Sequence, residues 1–493
     1  MLTTANETYP LHIGGRRGRH GRDREYPTIC PYTAQEWARF TAGDAADVDD
    51  AVAAARTAFE TQWRFVSGYE RARLMLRLAD LIDSHGDELA RIETTDNGKV
   101  IRETRNQMRF SARNFRFFAG LADKLSGETK PLDDGAMFDY TTREPLGVAA
   151  LVTAWNSPIG LLTNKLAPAL AAGNAVVVKP SEYTSISTLE FVKLVDAAGF
   201  PPGVVNVVTG DSRVGAALAG HSDVNKISFT GSVATGAAVA AAAARNIVPA
   251  TLELGGKSAN IIFEDADLDR AIPGAVAGVF GAAGQTCIAG SRLFVHRSAH
   301  DKVVASIRRR AEAVVLGDPL DPATEMGPVA HIGQHRAILE HIDRALAAGA
   351  VMETGGALTS DSKALFIKPT VFSSVDNAMD LAQQEIFGPV LAVIPFDDEE
   401  DVVKLANDTQ FGLAAGVWTR DLSRAHRLSR ALRAGTIWIN TYRQAAAQAP
   451  AGGMKRSGYG RERGVEAVDD YLQIKNTMID LGQGARDPFT MRV

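Results

Sequence analysis

The chain has 493 residues, of which 45% are hydrophobic and 23% charged, and its formal net charge is −5. This length exceeds what one hydrophobic core serves and predicts two or three domains, while the negative balance argues against nucleic acid and anionic membrane as partners and points to a small molecule. Two cysteines exclude a disulfide framework and suit the reducing cytoplasm, and no apolar run reaches the ~18 residues that a membrane span needs.

Along the chain, the basic run from Arg16 to Arg24 is followed by no apolar core, so it reads as a solvated loop rather than a signal peptide. The stretch from Gly127 to Arg143 is strand-like without a local core. Between Gly147 and Leu254, short β-branched runs alternate with helical patterns. Val148 to Thr153, Ala175 to Lys179, Val205 to Thr209 and Lys226 to Thr230 read as buried strands. Thr184 or Ser185 is positioned to cap a helix whose face carries Ile186, Leu189, Val192 and Val195 and which stops at Gly199 before Pro201-Pro202. A second helix runs from Ser212 to Leu218, and the alanine-rich stretch from Ala234 to Arg245 is a third, started by Gly231-Ser232. Alternation of this kind implies right-handed crossovers and a parallel sheet covered on both faces.

After Leu254 come helical runs from Asp301 to Val315 and from Gln334 to Ala348, and apolar strands from Val390 to Pro395 and from Thr436 to Asn440. The segment from Tyr471 to Leu481 is again strand-like. The expected fold is α/β: a doubly wound parallel-sheet cofactor domain over residues 1–126 and 144–253, and a second α/β domain over 254–455. Residues 127–143 and 456–493 form a small β arm and C-terminal segment that pairs subunits.

Several short motifs carry chemistry. Cys287 lies in Gly-Gln-Thr-Cys-Ile-Ala-Gly-Ser-Arg, from Gly284 to Arg292, among small and polar residues rather than in an apolar stripe. Such a setting suits a reactive thiol, which needs access and a polar environment to form thiolate. Glu253-Leu254-Gly255-Gly256-Lys257, about thirty residues upstream, offers a carboxylate base. The segment from Phe229 to Gly236 joins a strand end to a helix start, where Gly231 admits a close approach and the helix N-terminus presents free N–H groups to a pyrophosphate. Lys179-Pro180-Ser181-Glu182 ends another strand of the same sheet, and ligands of open α/β sheets bind at those ends. Glu182 suits a ribose diol and would repel a 2′-phosphate, so NAD is favoured over NADP. His331 and His335 stand one helical turn apart but lack a third ligand, which reads as a solvated helix face, and no metal is expected.

In register, seven segments resemble the NAD(P)-dependent aldehyde dehydrogenase superfamily across nearly the whole chain, from the helices near Asp47 to Tyr471. They are Ala154-Trp155-Asn156-Ser157-Pro158, Lys179 to Glu182, Phe229 to Ser232, Glu253 to Lys257, the Cys287 run, Glu385-Ile386-Phe387-Gly388-Pro389, and Gly452 to Gly458. The resemblance implies that Cys287 attacks an aldehyde carbonyl, that Asn156 and the Cys287 backbone N–H hold the oxyanion, and that Glu253 activates the water that hydrolyses the thioester. Aimed donors of that kind contribute about 3 kcal/mol each in acyl-transfer sites. It further implies that Lys165 and Glu462 support proton transfer. NAD would be bound by Trp155, Lys179, Ser181, Glu182, Gly210, Phe229, Gly231, Ser232, Leu254, Gly255, Glu385 and Phe387, and the assembly would be a homodimer or homotetramer.

The chain departs from that family where aromatic rings often line the substrate passage. It has Ser157, Asn164 and Gly281 there, Ala446 in a late loop, and Ala451 where phenylalanine is common. Leu161, Thr286 and Ile288 complete the expected pocket. Losing rings widens it and removes cation–π surface, so a bulkier or more polar aldehyde is expected than a quaternary ammonium one. Arg443 either pairs with the carboxylate of a semialdehyde or is an ordinary loop arginine. Two other functions stay open: a CoA-acylating semialdehyde dehydrogenase or thiol esterase, against which Glu253 argues, and a non-catalytic protein on the same fold.

Overall fold

The computed structural model describes residues 8–18, 24–358 and 364–482, with 484, 487 and 489. Most of the Arg16 to Arg24 run lies outside the described residues.

The first sheet has eight strands. From edge to edge they are Gly458–Tyr459, Ala250–Glu253, Lys226–Thr230, Val148–Val152, Ala175–Lys179, Val205–Val207, Leu11–Ile13 and Arg16–Gly18. The five central strands are parallel, and the edges are antiparallel. Val148–Val152, Ala175–Lys179 and Lys226–Thr230 are buried along their whole length; the first two are the near-continuous apolar runs expected when helices cover both faces, whereas Lys226–Thr230 alternates polar and apolar residues and buries both kinds. Chain order runs outward in both directions from Val148–Val152, so the loops that leave this strand and Lys226–Thr230 diverge and open a crevice at their carboxyl ends.

The helices start and stop at recognisable residues. Ile186–Ala198 ends at Gly199 in the left-handed region, with φ 90°. Ser185 does stand at its start, yet its hydroxyl turns back to donate to Ser181 O at 2.9 Å instead of capping the helix. Asp211 caps Ser212–Gly220, and Ser232 caps Val233–Arg245 by accepting from Thr235 N–H at 3.2 Å. Pro158–Ala172 begins with proline in its first turn, where the missing N–H costs nothing.

The second sheet has seven strands in the order Val351–Ala357, Ile367–Ser373, Val390–Phe396, Arg292–His296, Ala259–Ile262, Ala414–Trp418 and Thr436–Ile439, parallel except at the first. Each sheet has its own apolar core, with Ile227 and Val177 in one and Phe294 and Ile394 in the other.

Both strand-like outliers pair in one arm. Leu472–Asp480 runs antiparallel to Met137–Pro145 over nine residue pairs, and Thr129–Lys130 joins at the far edge. The C-terminal segment does more than build this arm: Gly458–Tyr459 pairs with Leu252 and Glu253 and extends the first sheet. Among the described residues, no helix is long and apolar enough to cross a membrane.

Asn174, fully buried, ties the arm to the sheet. Its Oδ1 accepts from Gly147 N–H at 2.9 Å, and its Nδ2 donates to Tyr471 O at 2.9 Å. Removing the amide leaves two buried backbone groups without partners. Asn174→Ala should therefore lower the unfolding free energy by about 2–4 kcal/mol, read from urea titration.

Candidate active site

The sulfur is delivered by a strained turn. The helix Leu268–Phe280 ends at Gly281, and Ala282 and Ala283 both adopt φ 53°. Gly284, at φ 71°, packs so closely on Gly388 that a Cβ there would overlap the Gly388 carbonyl. The chain then turns through Cys287, with Ala289 N–H donating to Thr286 O at 3.0 Å, and enters the strand Arg292–His296. The Cys287 thiol is half-buried and free. Burial, and the carboxylates of Glu385, Glu253 and Glu462, push it up to about 12.

Asn156 reaches this turn from the other domain. It follows Val148–Val152, and its Nδ2 donates to Gln285 O at 2.9 Å, two residues before the cysteine. Gln285 is itself fixed, because its Oε1 accepts from Ala330 N–H at 2.9 Å. An amide that already donates beside the sulfur is placed to serve an oxyanion formed there.

Glu253 ends its strand at the edge of the same crevice. Its Oε1 is buried without a hydrogen-bond partner. Burial first, and then the neighbouring Glu462, hold its carboxyl well above the ordinary carboxylate range. Lys165 forms a buried ion pair with Glu462 and lies 3.3 Å from Ser228 Oγ. The candidates for proton support thus stand directly behind the candidate base.

On the dinucleotide side, Glu385 Oε1 accepts from Gly256 N–H at 3.0 Å. A Cβ on Gly255 would overlap its carboxylate, so glycine is required at that position. Burial raises Glu385 to about 7. Trp155 meets the rings of Phe387 and His331 edge-on, each at 5.1 Å, and His331 stacks on Tyr183 at 4.0 Å. Burial lowers His331 to about 4, which keeps it neutral. This histidine caps its helix and packs among rings, while His335 Nε2 lies 3.2 Å from Phe366 O. Neither stands on the solvated face expected from sequence.

A groove of about 290 Å³ brings many of the expected residues together: Trp155, Asn156, Leu161, Gly231, Ser232, Glu253, Leu254, Gly255, Cys287, Glu385 and Phe387 all line it. Others lie outside its walls. Lys179 and Glu182 pair at 3.5 Å at the end of their strand, with Ser181 beside them. Phe229 packs beneath Gly231, and Gly210 lies at a turn with φ 148°. Around the cysteine, Ser157 accepts from Lys99 Nζ at 2.6 Å and Asn164 Oδ1 from Asn114 Nδ2 at 3.5 Å. Ile288 O accepts from Tyr442 at 3.0 Å, and Ala446 O from Ala449 N–H at 3.2 Å. Ala451 pairs with Glu462 through two backbone hydrogen bonds of 2.7 Å. Arg443 is neither a free carboxylate receptor nor an exposed loop residue. Its Nη2 lies 2.9 Å from Glu103 Oε1 and its Nη1 donates to Ala277 O, so its charge is already met.

Sequence reading missed Thr230, Gln334, Ala337 and His341, all on the groove wall. The last three recur at helical spacing along Ile332–Ala347 and share a face, but nothing local says that this face looks at the other domain. Lys99 and Gln107 were missed for the same reason.

The aldehyde dehydrogenase family matches residues 19–477. The chain is 45% identical to aldehyde dehydrogenase family 2 member B4, mitochondrial, of Arabidopsis thaliana, over 96% of this chain and 89% of that one. It is 46% identical to a betaine aldehyde dehydrogenase of Cereibacter sphaeroides, over 92% and 94%. The fold superposes on the crystal structure of betaine aldehyde dehydrogenase from Staphylococcus aureus in complex with NAD+, with TM-score 0.96, 37% identity and coverage of 98% and 97%. The chain belongs to the aldehyde dehydrogenase family.

A thiol raised this far keeps its proton at neutral pH. Alkylation of Cys287 by iodoacetamide in the cofactor-free protein, followed by mass spectrometry, should therefore keep accelerating as pH rises to 10. A plateau near pH 8 would mean that the thiolate is already formed.

Proposed function

We propose that this aldehyde dehydrogenase uses NAD to oxidise an aldehyde to a carboxylic acid through a covalent intermediate on Cys287. The observation that carries this reading is the meeting of Cys287, the Asn156 amide and the unpartnered Glu253 carboxylate in one groove.

Cys287 Sγ adds to the carbonyl carbon, and its proton passes to Glu253, whose raised affinity for a proton brings it closer to that of a thiol. The oxygen becomes an oxyanion held by Asn156 Nδ2 and the Cys287 backbone N–H. NAD bound in the groove supplies the hydride acceptor. The acyl group is left on the sulfur as a thioester; Glu253 then hands the thiol's proton on to solvent and, ionised again, takes a proton from the water that attacks the thioester, so that the carboxylic acid leaves and the Cys287 thiol is regenerated. The Lys165–Glu462 pair behind Glu253 gives that proton a charged neighbour toward which to move.

The groove suits a dinucleotide. Thr230 Oγ1 is buried on its wall without a partner, and the thirteen-residue helix Val233–Arg245 presents its N-terminus beside it, where a pyrophosphate is favoured. Glu182, whose side chain is 34% exposed, keeps an accessible oxygen for a ribose diol and disfavours a 2′-phosphate. We assign cofactor binding to residues 1–126 and 144–253 and catalysis to 254–455. The arm exposes Phe138, Ile474 and Met478, which supports pairing of subunits through it as a homodimer or homotetramer. Both cysteines are free, in keeping with a cytoplasmic enzyme. The polar surroundings of Ser157 and Asn164 favour a polar aldehyde.

The reaction is followed as NADH absorbance. Cys287→Ala should lose at least about 10³-fold in kcat while still binding NAD, and retained turnover would refute the assignment. Asn156→Ala should lose about 10²–10³-fold in kcat. Glu253→Gln should lose about 10²-fold or more in kcat without a burst of NADH, because the same carboxylate serves the thiol and the water. Adding CoA to the native enzyme should leave the steady rate unchanged, whereas stimulation would favour acyl transfer to a thiol.

A further inference from the structure

One helix carries a polar face past the catalytic cysteine. Along Ile101–Ala119, Glu103, Gln107, Phe110 and Asn114 recur every three or four residues and so project together. Each meets a partner. Glu103 pairs with Arg443. The Gln107 amide donates to Glu93 at 2.8 Å and accepts from Lys99 Nζ at 2.9 Å. Asn114 reaches Asn164. Phe110 lies under the guanidinium of Arg463, 5.8 Å from the ring centroid.

The charges in this layer nearly cancel. Arg443 is offset by Glu103, Lys99 has Glu93 nearby, and Lys165 is tied to Glu462. Arg463 is left over. Its Nε is buried with no hydrogen-bond partner, and among the described residues no carboxylate forms an ion pair with it. Its place is fixed, since φ is 62° and the preceding residue, Glu462, is clamped to Ala451 by two backbone hydrogen bonds. Withdrawal from water lowers its proton affinity, and the carboxylates of Glu462 and Glu253, though not ion-paired with it, offset part of that cost, as does Cys287. Neither Arg463 nor any of the helix residues lines the dinucleotide groove, so this cation stands outside it.

A desolvated guanidinium without a counter-ion is costly and is relieved by a planar oxyanion that it can hold through two N–H groups. We infer that Arg463 is a specificity-determining residue that receives a carboxylate at the end of the substrate remote from the aldehyde, so that semialdehydes of oxo acids are preferred. This rests on the reading that Cys287 oxidises an aldehyde. The role considered for Arg443 passes to Arg463, because Arg443 is ion-paired with Glu103 whereas Arg463 forms no ion pair among the described residues. A trimethylammonium aldehyde would bring a second cation to the same place and be repelled.

The test compares kcat/KM, with NAD, for succinic semialdehyde, butanal and betaine aldehyde. The native enzyme should favour succinic semialdehyde over butanal by about tenfold or more, as expected for a charge-assisted hydrogen bond, and betaine aldehyde should be poorest. In Arg463→Gln the ratio of succinic semialdehyde to butanal should fall about tenfold, through KM rather than kcat. Arg463→Lys should restore part of it. A native enzyme that prefers butanal or betaine aldehyde overturns the proposal, as does an Arg463→Gln enzyme whose ratio is unchanged. Failure of the underlying reading looks different: butanal would yield no NADH with the native enzyme, or Cys287→Ala would retain turnover.

Discussion

Lys165 and Glu462 form an ion pair buried between a helix of the first domain and a loop almost at the end of the chain. Taking two charges out of water costs several kcal/mol for each and is recovered only when geometry and further hydrogen bonds are good. Ser228 supplies one such contact to Lys165, and the backbone of Ala451 pins Glu462 from the other side. Three consequences follow from this clamp. The C-terminal loop is held against the sheet, Glu253 is given an anionic neighbour that raises its proton affinity, and Arg463 is set near both carboxylates without forming an ion pair with either.

The electrostatics around the sulfur describe a resting enzyme. Three carboxylates and partial burial keep Cys287 protonated, which limits adventitious oxidation of a thiol that must stay accessible. Activation is thereby assigned to substrate and base acting together, because a raised carboxylate and a raised thiol exchange a proton more readily than an ordinary pair would. Glu385, held by Gly256 N–H and raised to about 7, shows the same economy: a buried carboxylate adjacent to the groove is kept close to neutrality.

The substrate side of Cys287 is organised by hydrogen bonding rather than by ring packing. Ser157, Asn164 and Gly281 leave space that Lys99, Gln107 and Arg443 fill with polar groups, each answered by a partner. A lining of this kind fixes its own geometry, since every unmet group in a low-dielectric setting would be penalised.

Local sequence determined the parallel sheet of the first domain, because Val148–Val152 and residues 175–178 are nearly unbroken apolar runs that a two-sided sheet buries, and helical patterns separate them from each other and from Lys226–Thr230. It also determined the chemical candidates, since Cys287, Asn156 and Glu253 stand in short motifs whose residue types are recognisable without neighbours. Tertiary structure decided what those residues meet. That Arg443 is spent on Glu103, that Gln334 and His341 face the groove, that Gly458–Tyr459 completes the first sheet and that the Arg463 Nε is buried without a hydrogen-bond partner all depend on contacts that only the folded chain makes. A charged side chain looks the same in sequence whether water, a carboxylate or nothing lies opposite it. Only the packed chain fixes which, because burial and pairing energies are set by the other side of the contact.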